Sequence, residues 1–535
     1  MRVMDIDAIQ RFQMHDQDIP ALLAHWADRK PQHPALVWEP RTDGNGSSWT
    51  YAELQADVQR LAAGLQANGI SLGDKVLIHA DNCPEMVLAW LACATLGAVG
   101  VTTNTRSVGD EVEFFATKAQ CVAAITQPQY LSLVANCGAT FRWIAVTADD
   151  GGEPATDDVG AVEHRKFEDL FGASPADWKG RASDPMLTFG IMFTSGTTNR
   201  PKAVVHTHAN AVWAGRQGSR NIDLMPDSKY LIYLPFFHVN AQSWSFFPVL
   251  HTGATAVLMP KWSTSRFWPV VTRNAITHIS LMPFVMGTLM AADKPTEHTL
   301  QVGVFGLILP DLEPMLGIKI YAAYGMTELV THAITAKPVE QLPARSMGHV
   351  LGGYEIAVVD KETGELCADG QTGELWMRGT RGVQIFLEYF DNPEANATSF
   401  TEDGWFKTGD MVKMGERGNV FYQERDKDLL KVGGENVSAK EVEDVCMTVP
   451  GVASAAVVGK HHEWLDQVVV AFVITGPNAP SDDELEQQII GVCKEKIADF
   501  KVPRAVYVVP EFPTGTLDKI LKNKLREIAD AKPEI

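Results

Sequence analysis

Short apolar runs alternate with amphipathic helical patterns along most of this chain, and that alternation admits few architectures. Thr50-Tyr-Ala-Glu53 is a capping box, in which a Thr side chain and a Glu three residues on satisfy the first turn of a helix. The helix it opens carries Leu54, Val58, Leu61 and Leu65 on one face and stops near Gly69. Lys75-Val-Leu-Ile-His79 then reads as a buried strand, and the runs at 229–234 and 254–259 continue the rhythm. Strands alternating with helices predict an α/β fold: mixed, mainly parallel sheets packed with helices. The most apolar stretch, 86–101, is interrupted by Gly97 and Gly100. It falls short of the roughly 20 residues a membrane-spanning helix needs, so it reads as a buried helix running into a strand.

At 535 residues the chain is too long for a single core, and its texture changes twice. From about 345 the runs at 355–360, 373–378 and 418–422 are short strands between Gly-rich turns, which predicts a β-rich subdomain over about 345–424. The charged stretch Glu424-Arg-Asp-Lys-Asp428 breaks the apolar rhythm and marks a candidate hinge at 425–428. Beyond it stand two more capping boxes, Ser438 with Glu441 and Ser481 with Glu484, and between them strands at 453–458 and 468–474. The expected organisation is a large domain over 1–424 and a small α+β domain over 429–535.

A formal net charge of −20 argues against nucleic acid as a partner, although it leaves the local charge of any site open. The seven cysteines are scattered, odd in number and without a CxxC pair. That pattern disfavours a disulfide framework or a zinc site and suits a reducing cytoplasm. The first twenty residues contain acids and no apolar core, unlike a secretory signal.

Three segments carry chemistry. Met192-Phe-Thr-Ser-Gly-Thr-Thr-Asn-Arg-Pro-Lys-Ala203 follows an apolar run, and its hydroxyls around Gly196, with Arg200 and Lys202 behind, are the donors a polyphosphate requires. Its spacing is not that of the Walker loop, and such a cluster alone is equally a solvated turn. Tyr321-Ala-Ala-Tyr-Gly-Met-Thr-Glu328 sets a Glu beside a Thr, suited to Mg²⁺, close to a ring suited to a base; alone, the Glu is equally a surface carboxylate. Asp403-Gly-Trp-Phe-Lys-Thr-Gly-Asp410 ends on an Asp after a tight turn, either a ligand acceptor or an Asx-type cap.

Taken in this order, the segments resemble the superfamily of adenylate-forming enzymes: acyl-CoA synthetases, peptide-synthetase adenylation domains and luciferases. The likeness runs from about Thr50 to Arg526. It is nearest in look to crotonobetaine/carnitine–CoA ligases at Asp81-Asn-Cys-Pro-Glu85, at Phe193 with Thr194-Ser-Gly-Thr-Thr198, and at Arg266-Phe-Trp268. By resemblance, Thr194, Ser195, Gly196, Thr197, Thr198 and Lys202 form the phosphate loop. Within Tyr324-Gly325-Met326-Thr327-Glu328, Tyr324 stacks on adenine, Thr327 meets the α-phosphate and Glu328 holds magnesium. Asp410 and Arg425 bind the ribose, Lys427 is the hinge, and Gly433 and Gly434 line a pantetheine tunnel. Lys519 is the lysine that drives adenylation, although by residue type alone it is equally an ordinary surface lysine. His238 lies near acid and thiol, gating the thiol or packing as a core histidine. Phe236, Phe237, Asn240, Trp244, Phe284, Leu329 and His332 wall the acid pocket.

The chain departs from the family pattern at Asn199 and Ala203, which stiffen the loop, and at Asp518, where Gly usually precedes the lysine. The run Val304-Phe-Gly-Leu-Ile-Leu-Pro310 replaces a turn that usually contacts adenine, and the helix after it is expected to be truncated by Pro310 and Pro314. The resemblance implies an ATP-dependent acid–CoA ligase using Mg²⁺ and coenzyme A, with Lys519, Glu328, Thr194 and His238 catalytic. A carboxylate becomes an acyl-adenylate, the small domain rotates as a mobile lid, and a thiol takes the acyl group. The acid is a small betaine or carnitine-like, aliphatic or aromatic carboxylate. An enzyme loading a carrier protein and a non-catalytic nucleotide-binding relative are the competing readings. A homodimer is compatible with the chain and is specified by no residue pattern.

Overall fold

The computed structural model describes residues 6–41, 46–148, 164–194, 201–282, 285–286, 289, 294–361, 363–425, 429–476, 479–513 and 520–533. Two large sheets form the body of the protein. In the eight-stranded sheet, Cys121–Thr126, Lys75–His79, Val99–Thr102 and Thr188–Thr194 lie side by side and parallel, and Lys202–Thr207 then pairs antiparallel with Thr188–Thr194. Within the thirteen-stranded path Thr255–Leu258, Lys229–Ile232, His278–Ser280, Val302–Phe305 and Lys319–Tyr324 are parallel neighbours. Beyond Lys319–Tyr324 every pairing turns antiparallel, through Ile334–Ala336 and Ser346–Val350 into Val420–Arg425, Phe406–Met414, Thr372–Arg378 and Glu355–Val359. The change in texture near 345 is thus a change from parallel to antiparallel pairing within one continuous sheet.

The apolar stretch at 86–101 is the helix Pro84–Leu96, buried on nearly every face, followed by the strand Val99–Thr102. One hydrophobic cluster takes in this helix together with Val76 and Ile78 of one sheet and Tyr230, Ala256 and Leu258 of the other. A helix apolar all round suits a place between two sheets, where no face meets water. At its centre Trp90 packs edge-on to Phe189, Phe236 and Phe246. No helix among the described residues is long and apolar enough to cross a membrane.

Among the described residues the small domain has a five-stranded sheet, with Leu429–Val432, Glu435–Ser438, Val452–His462 and Asp466–Thr475 antiparallel and Ala505–Val508 added in parallel. The three cap sites predicted along the chain fare differently. The Thr50–Glu53 box is complete. At Ser438 only half of a box forms: its hydroxyl accepts from the Glu441 N–H, while the Glu441 carboxylate turns to Lys501. At Ser481 the predicted box is absent, because its side chain makes no cap and Glu484 instead accepts from Gln488 along the helix Asp482–Lys496. The helix predicted to be truncated is five residues long, Leu312–Leu316.

Candidate active site

Parallel strands deliver their following loops to one edge, where ligands of open α/β sheets bind. The strand Thr188–Thr194 ends at the phosphate-loop segment, and Lys319–Tyr324, from the other sheet, ends at the Tyr324–Glu328 turn. The two ends meet: the Thr194 hydroxyl donates to Glu328 Oε1 at 3.3 Å. Glu328 is 4% exposed, and the same Oε1 accepts from the Tyr389 hydroxyl at 2.9 Å. Lys202 lies over the Tyr389 ring, its ammonium 4.7 Å from the centroid. Burial lowers the Lys202 pKa, and the nearby Glu328 charge only partly opposes that. A hidden carboxylate held by two hydroxyls, with a half-desolvated lysine near it, keeps acceptor capacity for a hard cation. Magnesium takes oxygen ligands and needs only one or two protein carboxylates, so the donor set fits it.

The turn after Tyr324 is tightly built. A Cβ at Gly325 would come within 2.4 Å of the Thr331 carbonyl oxygen and 2.8 Å of the Trp244 ring, so only glycine fits. The Thr327 carbonyl accepts from His206 Nε2 at 2.8 Å, and burial pushes the His206 pKa down to about 4. Met326 packs at the edge of a hydrophobic cluster. Val330 sits at φ 69°, ψ −54°, while the Thr331 N–H donates to the Leu329 carbonyl at 2.7 Å. This is a γ-turn of the strained kind, on a β-branched residue.

Asp410, on the strand Phe406–Met414, is 3% exposed, and its Oδ2 accepts from the Tyr324 hydroxyl at 2.5 Å. It therefore faces the Tyr324 turn and does not serve only to cap its own. The backbone of Arg425 pairs with Asp410 in register on the neighbouring strand. On the other side of the turn, Trp244 meets His332 edge-on at 4.9 Å. His332 is fully buried with both ring nitrogens unpaired among the described residues, and burial lowers its pKa to about 3. Leu329 is fully buried, Phe237 nearly so, and Asn240 Oδ1 accepts from the Ser280 hydroxyl. Phe236 is fully buried against Trp90 and Phe246, so its ring serves the core.

His238 is partly exposed, not packed in the core, and its Nε2 lies 3.1 Å from Glu435 Oε1 on the small domain. Burial alone would lower the His238 pKa, but the charge and hydrogen bond of Glu435 outweigh it and raise it. Burial likewise would raise Glu435, and the charges of His238, Arg106 and Lys501 bring it below the usual carboxylate range. Glu435 follows the turn of Gly433 (φ 59°) and Gly434 (φ 90°), left-handed values that favour glycine. A Cβ at Gly434 would stand 3.2 Å from the Met282 methyl group of the large domain, so the turn comes close to the large domain's wall.

The predicted residues Ser195, Gly196, Thr197, Thr198, Phe284, Lys427 and Lys519 lie outside the described residues, as do Asp518 and the side chain of Arg425. Sequence reasoning missed Tyr389, His206 and Glu435. Only Glu435 carried a signal, its place directly after the glycine pair.

The AMP-binding enzyme family matches residues 23–390, and the AMP-binding enzyme C-terminal domain matches 441–519. The crotonobetaine/carnitine–CoA ligase of Escherichia coli (strain SE11) is 32% identical over 515 residues, covering 94% of this chain and 97% of that protein. A double mutant of Bacillus subtilis o-succinylbenzoate CoA synthetase, bound to its product analogue, superposes with a TM-score of 0.79 at 26% identity, covering 95% of this chain and 98% of that one. The same enzyme in complex with ATP and a magnesium ion gives 0.66 at 26% identity, covering 94% and 98%.

Proposed function

The chain belongs to the AMP-binding enzyme family and is an ATP-dependent acid–CoA ligase that uses ATP, Mg²⁺ and coenzyme A, and from that premise we propose which of its residues carry the two half-reactions. In the first, a carboxylate oxygen of the acid attacks the α-phosphorus of ATP and pyrophosphate leaves. In the second, the thiol of CoA attacks the acyl carbon and AMP leaves. The observation that carries the assignment is the meeting of Thr194, Glu328 and Tyr389 at one buried carboxylate, with Lys202 close by.

Glu328 holds the magnesium ion, which when bound neutralises phosphate charge. Thr194, with Ser195, Gly196, Thr197, Thr198 and Lys202, binds the phosphates, and Lys202 supplies a cation whose partial burial strengthens its field. Tyr324, Gly325, Met326 and Thr327 shape the nucleotide bed; Asp410 and Arg425 take the ribose, and Lys519 acts in adenylation. Tyr389 positions Glu328. Losing a hydrogen bond to a charged group costs about 1.5 kcal/mol. Tyr389→Phe is therefore expected to slow acid-dependent pyrophosphate exchange roughly tenfold. An unchanged exchange rate would remove Tyr389 from the site.

For the second half-reaction, His238 and Glu435 tie the Gly433–Gly434 loop to the wall of the site, and a protonated His238 favours the CoA thiolate. Because the His238 pKa is raised in the pair, the pair is intact below its ordinary 6.5 and is lost as pH rises through the raised value. Glu435 is lowered, so its share is lost only as pH falls through that lower value. Glu435→Gln is expected to move the alkaline limb of the thiol-transfer rate toward lower pH. A limb that stays in place in the variant refutes the pairing. We place the hinge at 425–428, including Lys427, because Val420–Arg425 and Leu429–Val432 belong to different sheets.

The acid we propose is compact, of betaine or carnitine size. Trp244 supplies an aromatic face suited to a quaternary ammonium, and His332 is held neutral beside it. Phe237, Asn240, Leu329 and Phe284 complete the walls. AMP formation with a panel of betaines, short aliphatic acids, aromatic acids and fatty acids tests this; preference for a long-chain acid overturns it. Thioester formation on CoA but not on a carrier protein tests the acceptor. A cytoplasmic place is supported by seven cysteines of which none forms a disulfide and six are buried. Sedimentation velocity decides between single chain and homodimer.

A further inference from the structure

One face of the interface between the two domains is built from charge. Lys501, at the end of the turn Asp499–Lys501, has a side chain 7% exposed, and its ammonium donates to carboxylates on both sides of that interface. Glu441 Oε1, at 2.9 Å, belongs to the small domain itself, on the helix Ala439–Cys446. Glu111 Oε1 belongs to the large domain, on the helix Gly109–Ala119. The other Glu111 oxygen accepts from the Val108 N–H at 3.0 Å, so this carboxylate is held by its own helix in the orientation that meets the lysine. Around it, Lys496 meets Asp110 at 2.9 Å, Arg106 meets Asp499 at 2.7 Å, and Arg106 lies 4.6 Å over the Phe500 ring.

The outer pairs are largely exposed, and exposed ion pairs contribute little. The buried lysine is different. Burial works against its charge, and Glu111 and Glu441 together more than compensate, raising its pKa. When the small domain moves as a body, Lys501 keeps Glu441 and loses Glu111. The Glu111 contact therefore favours one orientation over others, and that orientation is the one that brings Glu435 to His238 and Gly434 to Met282. The cluster also reaches the site directly, since Arg106 and Lys501 both help hold Glu435 ionised.

We propose that Glu111 and Lys501 are positioning residues for thiol transfer, a buried latch that holds the small domain where its glycine loop lines the site. The assignment rests on the ligase reading above. It predicts an asymmetry between half-reactions, since a contact made in one orientation leaves the other orientation's chemistry alone. Glu111→Gln is the informative variant, because an amide oxygen still accepts from Val108 while the charge is gone. Pyrophosphate exchange without CoA is expected to stay within twofold of wild type. Transfer from preformed acyl-adenylate to CoA in a single turnover is expected to slow at least tenfold. Glu111→Asp is expected to recover part of that loss, and adding Lys501→Met to Glu111→Gln to cost less than the two single effects multiplied.

Equal losses in both half-reactions would mean a merely structural role, and unchanged transfer would mean no role; either overturns the proposal while leaving the ligase reading intact. A wild-type protein inert with every acid overturns the ligase reading instead. The latch is then judged by hydrogen exchange, where Glu111→Gln must raise exchange at 435–438 and 499–501, and unchanged exchange refutes it.

Discussion

Glu328→Gln is expected to lower acid-dependent pyrophosphate release at least about a hundredfold, with the fold intact. The exchange preserves size, and the amide oxygen still accepts from Thr194 and Tyr389, so the junction between the two sheets keeps its hydrogen bonds. What disappears is a formal negative charge at a position 4% exposed. On the proposed assignment, a bound magnesium ion would lose its protein carboxylate, and the triphosphate would meet the incoming acid with its charge less well neutralised. A second consequence separates this variant from a simple loss of binding. Lys202 is already lowered by burial and is supported by Glu328. Without that support its pKa falls further, and residual activity should fail at a lower pH than in wild type. Residual exchange measured from pH 6 to 10 checks both the size of the loss and the limb. Retention of wild-type activity with saturating magnesium would remove Glu328 from the chemistry.

Asp410→Ala is expected to reduce kcat/KM for ATP by about thirtyfold to a hundredfold, mainly through KM. A buried carboxylate accepts a hydroxyl proton more strongly than a neutral group, and here the acceptor faces the same turn as Tyr324. Truncation removes the Asp410 acceptor from the Tyr324 hydroxyl and opens the floor where the ribose hydroxyls would lie. Thiol transfer from preformed acyl-adenylate should be less affected once the adenylate is bound. An increase in KM for CoA with no change for ATP would contradict the assignment.

Much of the architecture was legible because it is local. The capping box at Thr50, the strand at 75–79 and the buried helix before Val99 depend on spacing within a few residues, and each forms as the spacing implies. The strands at 453–458 and 468–474 were also recognised, though the structure extends them to Val452–His462 and Asp466–Thr475. What could not be read is pairing at long range. Tyr389 reaches Glu328 across 61 residues, and Glu435 reaches His238 across 197. A tyrosine in a short edge strand and a glutamate after two glycines look ordinary until the fold sets them beside a partner. The same cause explains the half-formed box at Ser438: Glu441 has the right spacing to cap its helix, but Lys501 offers a charged partner. Phe236 lies in a segment that resemblance placed at the acid, yet its ring fills the gap beside Trp90.

The γ-turn at Val330 has a consequence for how such a ligase can change its diet. A β-branched residue at φ 69° is held there at a cost of order 1–3 kcal/mol. Thr331 and His332 hang directly from it, and Tyr354 steadies the turn by donating to the Leu329 carbonyl at 3.0 Å. A lesion anywhere in that support would let the turn relax before the sheets come apart. Drift in which acids are accepted would then precede loss of the folded state, and selectivity and heat tolerance would decline in that order.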